Sequence, residues 1–302
     1  MPNIVIAIHG GAGEDSAFIR ANKEAYEQGL RDAAEAGHAV LRYGGQAIDA
    51  VCAAVRSLED NILFNAGRGS AINHSGIIEM DAGLMNGQDL KAGAVAMVRL
   101  IKNPIDLARH VMEKTNHVLL AGYGASEFAR IEGIQQENEE YFISEHQLNE
   151  LEQAKKENEA NLLKKPVRGT VGAVALDIYG NVAAATSTGG TCNSLAGRIG
   201  DSCIIGAGCY ADNNSCAVSG TGDGELLIRE VIAHHIAMNL SYRDVTIQEA
   251  CDDVVKEKNS LEGDIGVIAV TPSGDVGISF NSERMHRAWI DRKGAFNVKI
   301  YA

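Results

Sequence analysis

One junction in the sequence offers a hydroxyl nucleophile together with a source of base. Thr170 opens an apolar, strand-like run, residues 171–177, directly after a polar and charged segment. A hydroxyl nucleophile needs an adjacent base, and cleavage of the Gly169–Thr170 peptide bond would free the α-amine of Thr170 for that role. An α-amine titrates near pH ~8, whereas an amide nitrogen is not basic. Taken alone, the junction does not distinguish self-cleavage from an ordinary strand that begins with threonine.

Two glycine-rich stretches downstream contain further hydroxyl and amide groups that could act together with Thr170. Thr188 ends a strand that we expect to pair with the strand after Thr170, which would bring the two hydroxyls together. Residues 219–224 precede a predicted helix, and free N–H groups at a helix start favour an anion or a developing oxyanion. A plain turn or a phosphate loop is the alternative, although the stretch lacks the Lys-Ser/Thr pair of a P-loop.

Arg198 and Asp201 are opposite charges in a glycine-containing loop. Arginine can bind a carboxylate through two hydrogen bonds and aspartate can bind an ammonium, so together they can hold the zwitterionic end of an amino acid. A surface ion pair is the competing interpretation, and such a pair would contribute little stability.

The elements that must position these residues occur in blocks of helices between blocks of hairpin strands. This order favours a layered α/β architecture with antiparallel sheets over repeated βαβ units. Residues 134–168 are charged and poor in large apolar side chains, which predicts a solvated helix followed by a mobile linker. The other predicted elements are a strand at 4–8, a loop at 9–13, helices at 16–42, 48–58, 225–239 and 246–258, a helix starting at Pro104, and hairpins at 169–188 and 267–280.

Composition excludes several classes of protein. The 302 residues are 45% hydrophobic and carry 27 Lys and Arg against 40 Asp and Glu, a net charge of −13. This balance argues against general disorder, against a non-specific nucleic-acid surface and against an anionic-membrane surface. No run approaches the ~20 apolar residues of a membrane helix, and the first residues do not resemble a signal peptide. We therefore expect a cytoplasmic protein whose six cysteines are buried thiols.

Several sequence blocks, taken as a set, resemble the plant-type L-asparaginase and isoaspartyl aminopeptidase family of N-terminal-nucleophile (Ntn) hydrolases. They occur in the family's order, span nearly the whole chain and are highly specific together. The blocks are residues 9–13, 63–67, 80–82, 103–104, 169–177, 180–181, 184–190, 197–201 and 221–225.

The resemblance implies a precursor of one domain, residues 1–302, that cuts itself between Gly169 and Thr170. The products would be an α subunit, residues 1–169, and a β subunit, residues 170–302. The implied fold is an Ntn-hydrolase fold of class α/β (α+β), a four-layer αββα sandwich with antiparallel sheets. Thr170 would be the nucleophile, with its own amine as base. The other implied roles are Thr188 and Asn65 at the reacting centre, Thr221 and the Gly222 amide as oxyanion hole and substrate contacts, Arg198 on the substrate α-carboxylate, and Asp201 with the Gly224 carbonyl on its α-ammonium.

The resemblance also implies the substrates, an ion and an assembly. L-Asparagine and β-aspartyl dipeptides would form a β-aspartyl ester on Thr170, which water then hydrolyses. No cofactor is required for this chemistry, a structural sodium ion is expected, and the αβ unit is expected to dimerise. The sodium would bind the backbone carbonyls of Leu58, Glu59, Asn61, Phe64, Ala66 and Arg68.

Two other functions stay open at this point. Glycosylasparaginase applies the same threonine chemistry to sugar-linked asparagine, but such enzymes are commonly secretory or lysosomal in eukaryotes. A nucleotide-binding module could use the glycines of residues 9–13 and 219–224, but no acidic residue follows at the spacing that a ribose contact needs. Residues 133–165 match no motif, and the sequence does not set the ratio of asparaginase to peptidase activity.

Overall fold

The computed structural model describes residues 3–158, 169–258 and 263–302, which form two β-sheets flanked by helices. The strands are β1 (Val5–Gly13), β2 (Met80–Asn86), β3 (Ala92–Val98), β4 (Leu119–Ala121), β5 (Val171–Leu176), β6 (Val182–Thr188), β7 (Cys209–Ala211), β8 (Ala217–Gly222), β9 (Ile265–Val270), β10 (Val276–Phe280), β11 (Arg284–Ile290) and β12 (Phe296–Lys299). The helices are α1 (Ala17–Ala21), α2 (Lys23–Arg42), α3 (Ala47–Glu59), α4 (Pro104–Lys114), α5 (Gly122–Glu132), α6 (Glu139–Phe142), α7 (Glu145–Asn158), α8 (Gly224–Glu230), α9 (Ile232–Tyr242) and α10 (Ile247–Lys258).

The two sheets have different sizes and a mostly antiparallel order. The larger runs β12-β11-β1-β5-β6-β2-β3-β4, and the smaller runs β10-β9-β8-β7. Within the described residues, the only parallel neighbours are β3 and β4, so the larger sheet is mixed. The predicted α/β class with antiparallel sheets is therefore confirmed, with this one parallel pair as an addition.

Alternating side chains of the strands feed separate apolar clusters. On β1, Ile6 and Ile8 pack with residues of α2, α3 and α4, whereas Val5 and Ala7 pack with residues of the smaller sheet such as Ile268. A further cluster joins the other face of the smaller sheet to α8, α9 and α10. Because successive strand residues point to opposite faces, one strand can contribute to two clusters.

Both predicted hairpins are confirmed. In the β5–β6 pair, Val171 lies opposite Ser187, which places Thr170 beside Thr188 at one end of the pair. The β9–β10 hairpin also forms, with Val270 opposite Val276. Both registers follow from short turns that leave little freedom in strand pairing.

The predicted loop at residues 9–13 is wrong, because β1 continues through Gly13. Ala12 and Gly13 pair with β11 after an irregularity that begins at His9, and Gly11 has φ +106°. A side chain at Gly10 would strike the ring of Phe64. The glycines therefore allow an irregular strand to run close to neighbouring residues such as Phe64. In the sequence alone, such a run of glycines predicts a loop. A nucleotide loop needs a strand-to-helix turn here, so this geometry also argues against the nucleotide-binding alternative.

Two predicted helices are each divided in two. The 16–42 helix breaks at Asn22, whose side-chain amide donates to the Phe18 carbonyl at 2.9 Å and so competes with the helical backbone. The 225–239 helix breaks at Val231, which has φ +49°. There the amides of Ala233 and His234 donate to the carbonyls of Ala207 and Gly206. These bonds satisfy N–H groups in the first turn of α9, which therefore begins as a separate helix. In addition, residues 219–222 of the predicted glycine loop belong to β8.

Three further predictions concern the middle segment, α4 and the cysteines. The helical part of residues 134–168 is confirmed as α6 and α7, and its predicted linker, residues 159–168, lies outside the described residues. The helix predicted to start at Pro104 is confirmed as α4, since the missing N–H of proline costs nothing in a first turn. All six cysteines are buried free thiols, as expected.

Candidate active site

The candidate site lies where β1, β5, β6 and β8 meet the loop of residues 61–71. Thr170 is the residue immediately before β5 and is almost fully buried. Its hydroxyl lies 3.4 Å from that of Thr188 at the end of β6. The structure therefore brings together the two threonines that the hairpin predicted, in the uncut chain.

The carbonyl of Gly169 is held by two hydrogen-bond donors. The side-chain amide of Asn65 donates to it at 2.8 Å, and the hydroxyl of Thr188 donates to it at 3.1 Å. Asn65 is fixed in turn, because its Oδ1 accepts from the Ala71 amide at 2.7 Å and its Nδ2 also donates to the Gly190 carbonyl at 2.8 Å. Donors preset on a carbonyl oxygen stabilise the negative charge that develops when the carbonyl carbon is attacked.

The direction of each hydrogen bond around Thr188 follows from its single hydroxyl proton. That proton points to the Gly169 carbonyl, which can only accept. Thr188 therefore accepts from the Thr170 hydroxyl, and it also accepts from the Gly190 amide at 3.1 Å. The Thr170 hydroxyl proton is thus directed to Thr188.

His9 holds the other side of Thr170, and nothing in the sequence around it marks it as a site residue. Its Nδ1 lies 3.2 Å from the Thr170 carbonyl, and its Nε2 lies 2.9 Å from the Ser219 hydroxyl. Because a carbonyl only accepts, Nδ1 carries the proton and Nε2 accepts from Ser219, which in turn accepts from Thr186 at 2.7 Å. Burial lowers the pKa of His9 to about 3, so the ring is neutral. A side chain at Gly172 would collide with both His9 and Ser219.

Thr221 and Gly222 end β8 close to the same place. The Ala12 amide donates to the Thr221 hydroxyl at 3.4 Å, and the neighbouring Gly11 lies against Gly169 and Thr170. Gly222 has φ +121°, and a side chain there would collide with the Asp264 carbonyl. This backbone conformation is open to glycine and strained for other residues. Thr221 is thus connected to Gly169 and Thr170 through β1, a strand of the other sheet.

Arg198 is bound by a carboxylate of the protein itself. Its Nε and Nη2 donate to the two oxygens of Glu225 at 2.9 Å and 3.0 Å. The guanidinium is thus occupied in the two-point geometry that fits a carboxylate, and the expected contact of Arg198 with a substrate carboxylate stays a prediction. Glu225 was not foreseen, since its position at the start of α8 gives no sign that it faces the 198–201 loop.

Asp201 and Gly224 lie next to this guanidinium. Asp201 is buried, and no described residue donates to its Oδ2. A side chain at Gly224 would come within 2.7 Å of Arg198 Nη2 and 3.0 Å of Asp201 Oδ1. Burial raises the pKa of Asp201 to about 7, and the charge of Arg198 opposes that rise. The structure thus brings Arg198, Asp201 and Gly224 together, with a carboxyl oxygen left for a donor such as an ammonium.

Asp81 positions this loop and was present only as part of a motif in the sequence reasoning. Its carboxylate accepts from the amides of Met97 at 2.9 Å and Gly200 at 3.0 Å. It also lies opposite Thr188 in the β2–β6 pair, so it ties the 198–201 loop to the strand that carries Thr188. Burial raises its pKa to about 6.

The segment expected to bind sodium is a compact turn closed by the backbone bond from the Arg68 amide to the Glu59 carbonyl at 2.7 Å. The carbonyls of Asn61 and Phe64 also accept one backbone bond each, and that of Leu58 accepts from the amides of Asp60 and Asn61. A carbonyl has two lone pairs, so those of Asn61 and Phe64 retain capacity for an ion. Carbonyl oxygens are ligands suited to hard cations, and the residues therefore fit such an ion in donor type.

The Glu59 side chain is a separate feature of that turn. It is fully buried, accepts from Ser187 at 2.7 Å and from the Ile105 amide at 3.1 Å, and burial raises its pKa to about 8. Glu59 therefore connects the turn to the start of α4 and to the residue before Thr188. Among the described residues, no group of three or more His, Cys, Asp or Glu side chains could hold a metal ion.

Together these groups can activate a carbonyl next to a threonine hydroxyl and can hold an amino acid by its charged end. They are the parts of an amidohydrolase that uses a threonine nucleophile. The sequence matches the asparaginase family over residues 2–300, and the chain belongs to that family.

Three relatives from bacteria and animals illustrate the similarity. The chain is 46% identical to the isoaspartyl peptidase of Escherichia coli (strain K12), over 96% of this chain and 93% of the relative. It is 47% identical to the isoaspartyl peptidase/L-asparaginase of Mus musculus, over 90% of this chain and 83% of the relative. It is 44% identical to the protein of the same name from Homo sapiens, over 90% and 88%. In the described part of the chain, no helix is both long and apolar enough to span a bilayer.

Proposed function

We propose that the protein is a self-cleaving isoaspartyl peptidase and L-asparaginase whose nucleophile is Thr170. The observation that carries the proposal is the Gly169 carbonyl held by Asn65 and Thr188 next to the Thr170 hydroxyl. Family membership and the names of the relatives support the substrate class. They also favour this function over glycosylasparaginase.

Self-cleavage begins with attack of the Thr170 oxygen on the Gly169 carbonyl carbon. As the C–O bond forms, the Thr170 hydroxyl proton is transferred to the Thr170 nitrogen, and Asn65 and Thr188 stabilise the negative Gly169 oxygen. The C–N bond then breaks, the nitrogen leaves as the free α-amine that carries this proton, and an ester joins Gly169 to Thr170. Water hydrolyses that ester, giving a carboxylate on residues 1–169 and a free α-amine on residues 170–302.

Hydrolysis of substrate reuses the same hydroxyl, with the new amine as base. Arg198 exchanges Glu225 for the α-carboxylate of an L-aspartyl group, and Asp201 with the Gly224 carbonyl binds its α-ammonium. The Thr170 oxygen attacks the side-chain carbonyl, and Thr221 with the Gly222 amide stabilises the oxyanion. Ammonia or an amino acid leaves with a proton from the Thr170 amine, and water then hydrolyses the β-aspartyl ester.

The remaining expectations of ion, fold and assembly belong to the same proposal. Backbone carbonyls of residues 58–68 would hold a structural sodium ion, which supplies no chemistry to the reaction. The two sheets would stack as the inner layers of a four-layer αββα Ntn-hydrolase sandwich, as the apolar clusters between them and the helices suggest. Two αβ units would form the active dimer, in the cytoplasm.

Two variants test the proposed function. Thr170→Ala removes the nucleophile and should abolish both self-cleavage and hydrolysis of β-aspartyl dipeptides. Arg198→Ala should leave self-cleavage largely intact and weaken substrate binding, because Arg198 contacts the substrate and not Gly169. An Arg198→Ala protein that hydrolyses β-aspartyl dipeptides at the wild-type rate would refute the assigned carboxylate contact.

A further inference from the structure

A cavity of about 110 Å³ lies on the Gly169 side of the candidate site. Gly169 and Asn65 line it at the end next to the reacting centre. Arg284 and His286 of β11 line it as well, and Gln147 of α7 contributes to its wall. None of the functions assigned above uses this cavity.

Arg284 is a buried cation whose guanidinium is incompletely satisfied. Its side chain is 4% exposed, and Nη1 donates to His286 Nδ1 at 3.0 Å. No described residue accepts a hydrogen bond from Nε, and the guanidinium forms no ion pair with a described carboxylate. Burial lowers the pKa of Arg284, and the charges of Asp15 and Glu150 oppose that shift from a longer distance. Burying a charge without a direct partner is unfavourable, and a ligand that brings an anion would recover much of that cost.

Two more groups on the cavity wall lack partners within the described residues. Gln147 Oε1 is a buried acceptor and His286 Nε2 is a buried ring nitrogen. Because arginine only donates, His286 Nδ1 must accept, and the proton of the neutral ring therefore lies on Nε2. Burial and the charge of Arg284 lower the pKa of His286 well below its usual value, which supports the neutral form, and the Gly11 backbone opposes this shift. The cavity thus offers the Nε–H of Arg284 as a donor and Oε1 of Gln147 as an acceptor.

The cavity occupies the side from which the leaving group must depart. The leaving nitrogen takes its proton from the Thr170 α-amine, so it must lie beside that nitrogen. In the uncut chain Gly169 is bonded to the same nitrogen and lines the cavity. The space next to the amine therefore continues into the cavity once Gly169 has left.

We propose that this cavity binds the leaving amino acid of a β-aspartyl dipeptide, with Arg284 pairing with the α-carboxylate of that amino acid. The inference rests on the proposed function and adds a specificity determinant to it. Ammonia, the leaving group of L-asparagine, carries no carboxylate and makes no use of Arg284. The site therefore favours peptidase over asparaginase activity.

The carboxylates on the cavity wall restrict which amino acids can be the leaving residue. Glu14, Asp15 and Glu150 line the cavity, although Asp15 is paired with Arg20 at 2.7 Å and Glu150 with His146 at 3.2 Å. These carboxylates repel an acidic side chain on the leaving residue. Neutral and cationic leaving residues should therefore be better substrates than acidic ones.

The test compares three substrates with wild-type protein and with Arg284→Met. The substrates are β-aspartyl-alanine, the same dipeptide with its terminal carboxylate replaced by a carboxamide, and L-asparagine. Loss of a hydrogen-bonded charge pair should lower kcat/KM for β-aspartyl-alanine about tenfold to a hundredfold in Arg284→Met. The carboxamide and L-asparagine should change less than about twofold, and wild-type protein should prefer the carboxylate over the carboxamide.

Controls separate binding from folding. Arg287→Met removes another buried arginine from β11, one that donates to the Met285 carbonyl and does not line the cavity, and it should not discriminate among the substrates. Arg284→Lys should restore part of the lost activity on β-aspartyl-alanine. An equal loss on all three substrates, or no loss on any, overturns the assignment to Arg284. Wild-type protein that hydrolyses none of the three overturns the proposed function instead.

If Arg284→Met fails to fold, the comparison of the two dipeptide substrates with wild-type protein still tests the proposal. An equal kcat/KM for β-aspartyl-alanine and its carboxamide would contradict the inference. A clear preference for the carboxylate supports it, and a lower rate for a glutamyl than for a lysyl leaving residue supports the role of the wall carboxylates.

Discussion

Asn65 gives the sharpest quantitative prediction for self-cleavage. It supplies one of the two donors on the Gly169 carbonyl, at 2.8 Å, and Thr188 supplies the other at 3.1 Å. Removing one oxyanion donor typically slows a reaction about 10²–10³-fold, or roughly 2.7–4 kcal/mol in barrier height. We therefore expect Asn65→Ala to cut itself about a hundredfold to a thousandfold more slowly than the wild type.

The assay is the fraction of cut chain against time, read from intact masses under denaturing conditions after synthesis of the precursor. Asn65→Asp separates loss of the donor from collapse of the loop, because its carboxylate can still accept from the Ala71 amide but cannot donate to Gly169. It should be slow as well.

Asn73→Ala is the matched control for the Asn65 variants. Asn73 is another amide in the connection between α3 and β2, and it bonds to Glu79, Ser75 and Ile77 instead of Gly169. It should cut at nearly the wild-type rate. An Asn65→Ala chain that cuts within about threefold of the wild type would refute the assigned role of this amide.

The remaining predictions concern turnover by the cut protein. Ser219→Ala leaves His9 Nε2 without its hydrogen-bond donor. With β-aspartyl dipeptides as substrates we expect a roughly tenfold lower kcat and little change in KM. A change confined to KM would contradict the positioning of Thr170 by His9. Gly224→Ala places a methyl group 2.7 Å from Arg198 Nη2, so KM should rise while self-cleavage proceeds normally, and an unchanged KM would refute the crowding argument. Burial raises the pKa of Asp201 to about 7, so the carboxyl is neutral below that pH and binds ammonium poorly. KM for L-asparagine should therefore rise about tenfold per pH unit below ~7, whereas protonation of the Thr170 amine lowers kcat, and a KM that stays flat from pH 5 to 7 would count against the role of Asp201.

The same pKa shift has a consequence for stability. An unfolded aspartate ionises near its usual value of 3.8, whereas Asp201 in the folded protein stays protonated up to about 7. Unfolding therefore releases a proton between these values, and stability without substrate should decrease as the pH rises through that window. Asp201→Asn should flatten this part of the Tm profile, which thermal unfolding at several pH values measures.

Local signals predicted the parts of the site that are close in sequence. Thr170 and Thr188 belong to one hairpin, so strand alternation and a short turn were enough to place them side by side. Arg198 and Asp201 share a loop, and their charges suggested the same ligand before the fold was known. Pro104 marked the start of α4 because its ring suits a first helical turn.

Long-range packing decided what local signals could not predict. Ser219 and His9 are 210 residues apart, and their contact depends on how the smaller sheet lies against β1. Asn65 came only from the family resemblance, since its contact with Gly169 depends on how a distant loop folds. At Val231 the helical pattern continues through the break, and only the partners offered by the carbonyls of Gly206 and Ala207 end the helix there.

Intact mass spectrometry of the purified protein under denaturing conditions shows directly whether the chain cuts itself before Thr170. We expect two chains whose masses correspond to residues 1–169 and 170–302, with the second chain beginning at a free Thr170. A single chain of 302 residues that stays uncut on long incubation and does not hydrolyse β-aspartyl dipeptides would contradict this expectation.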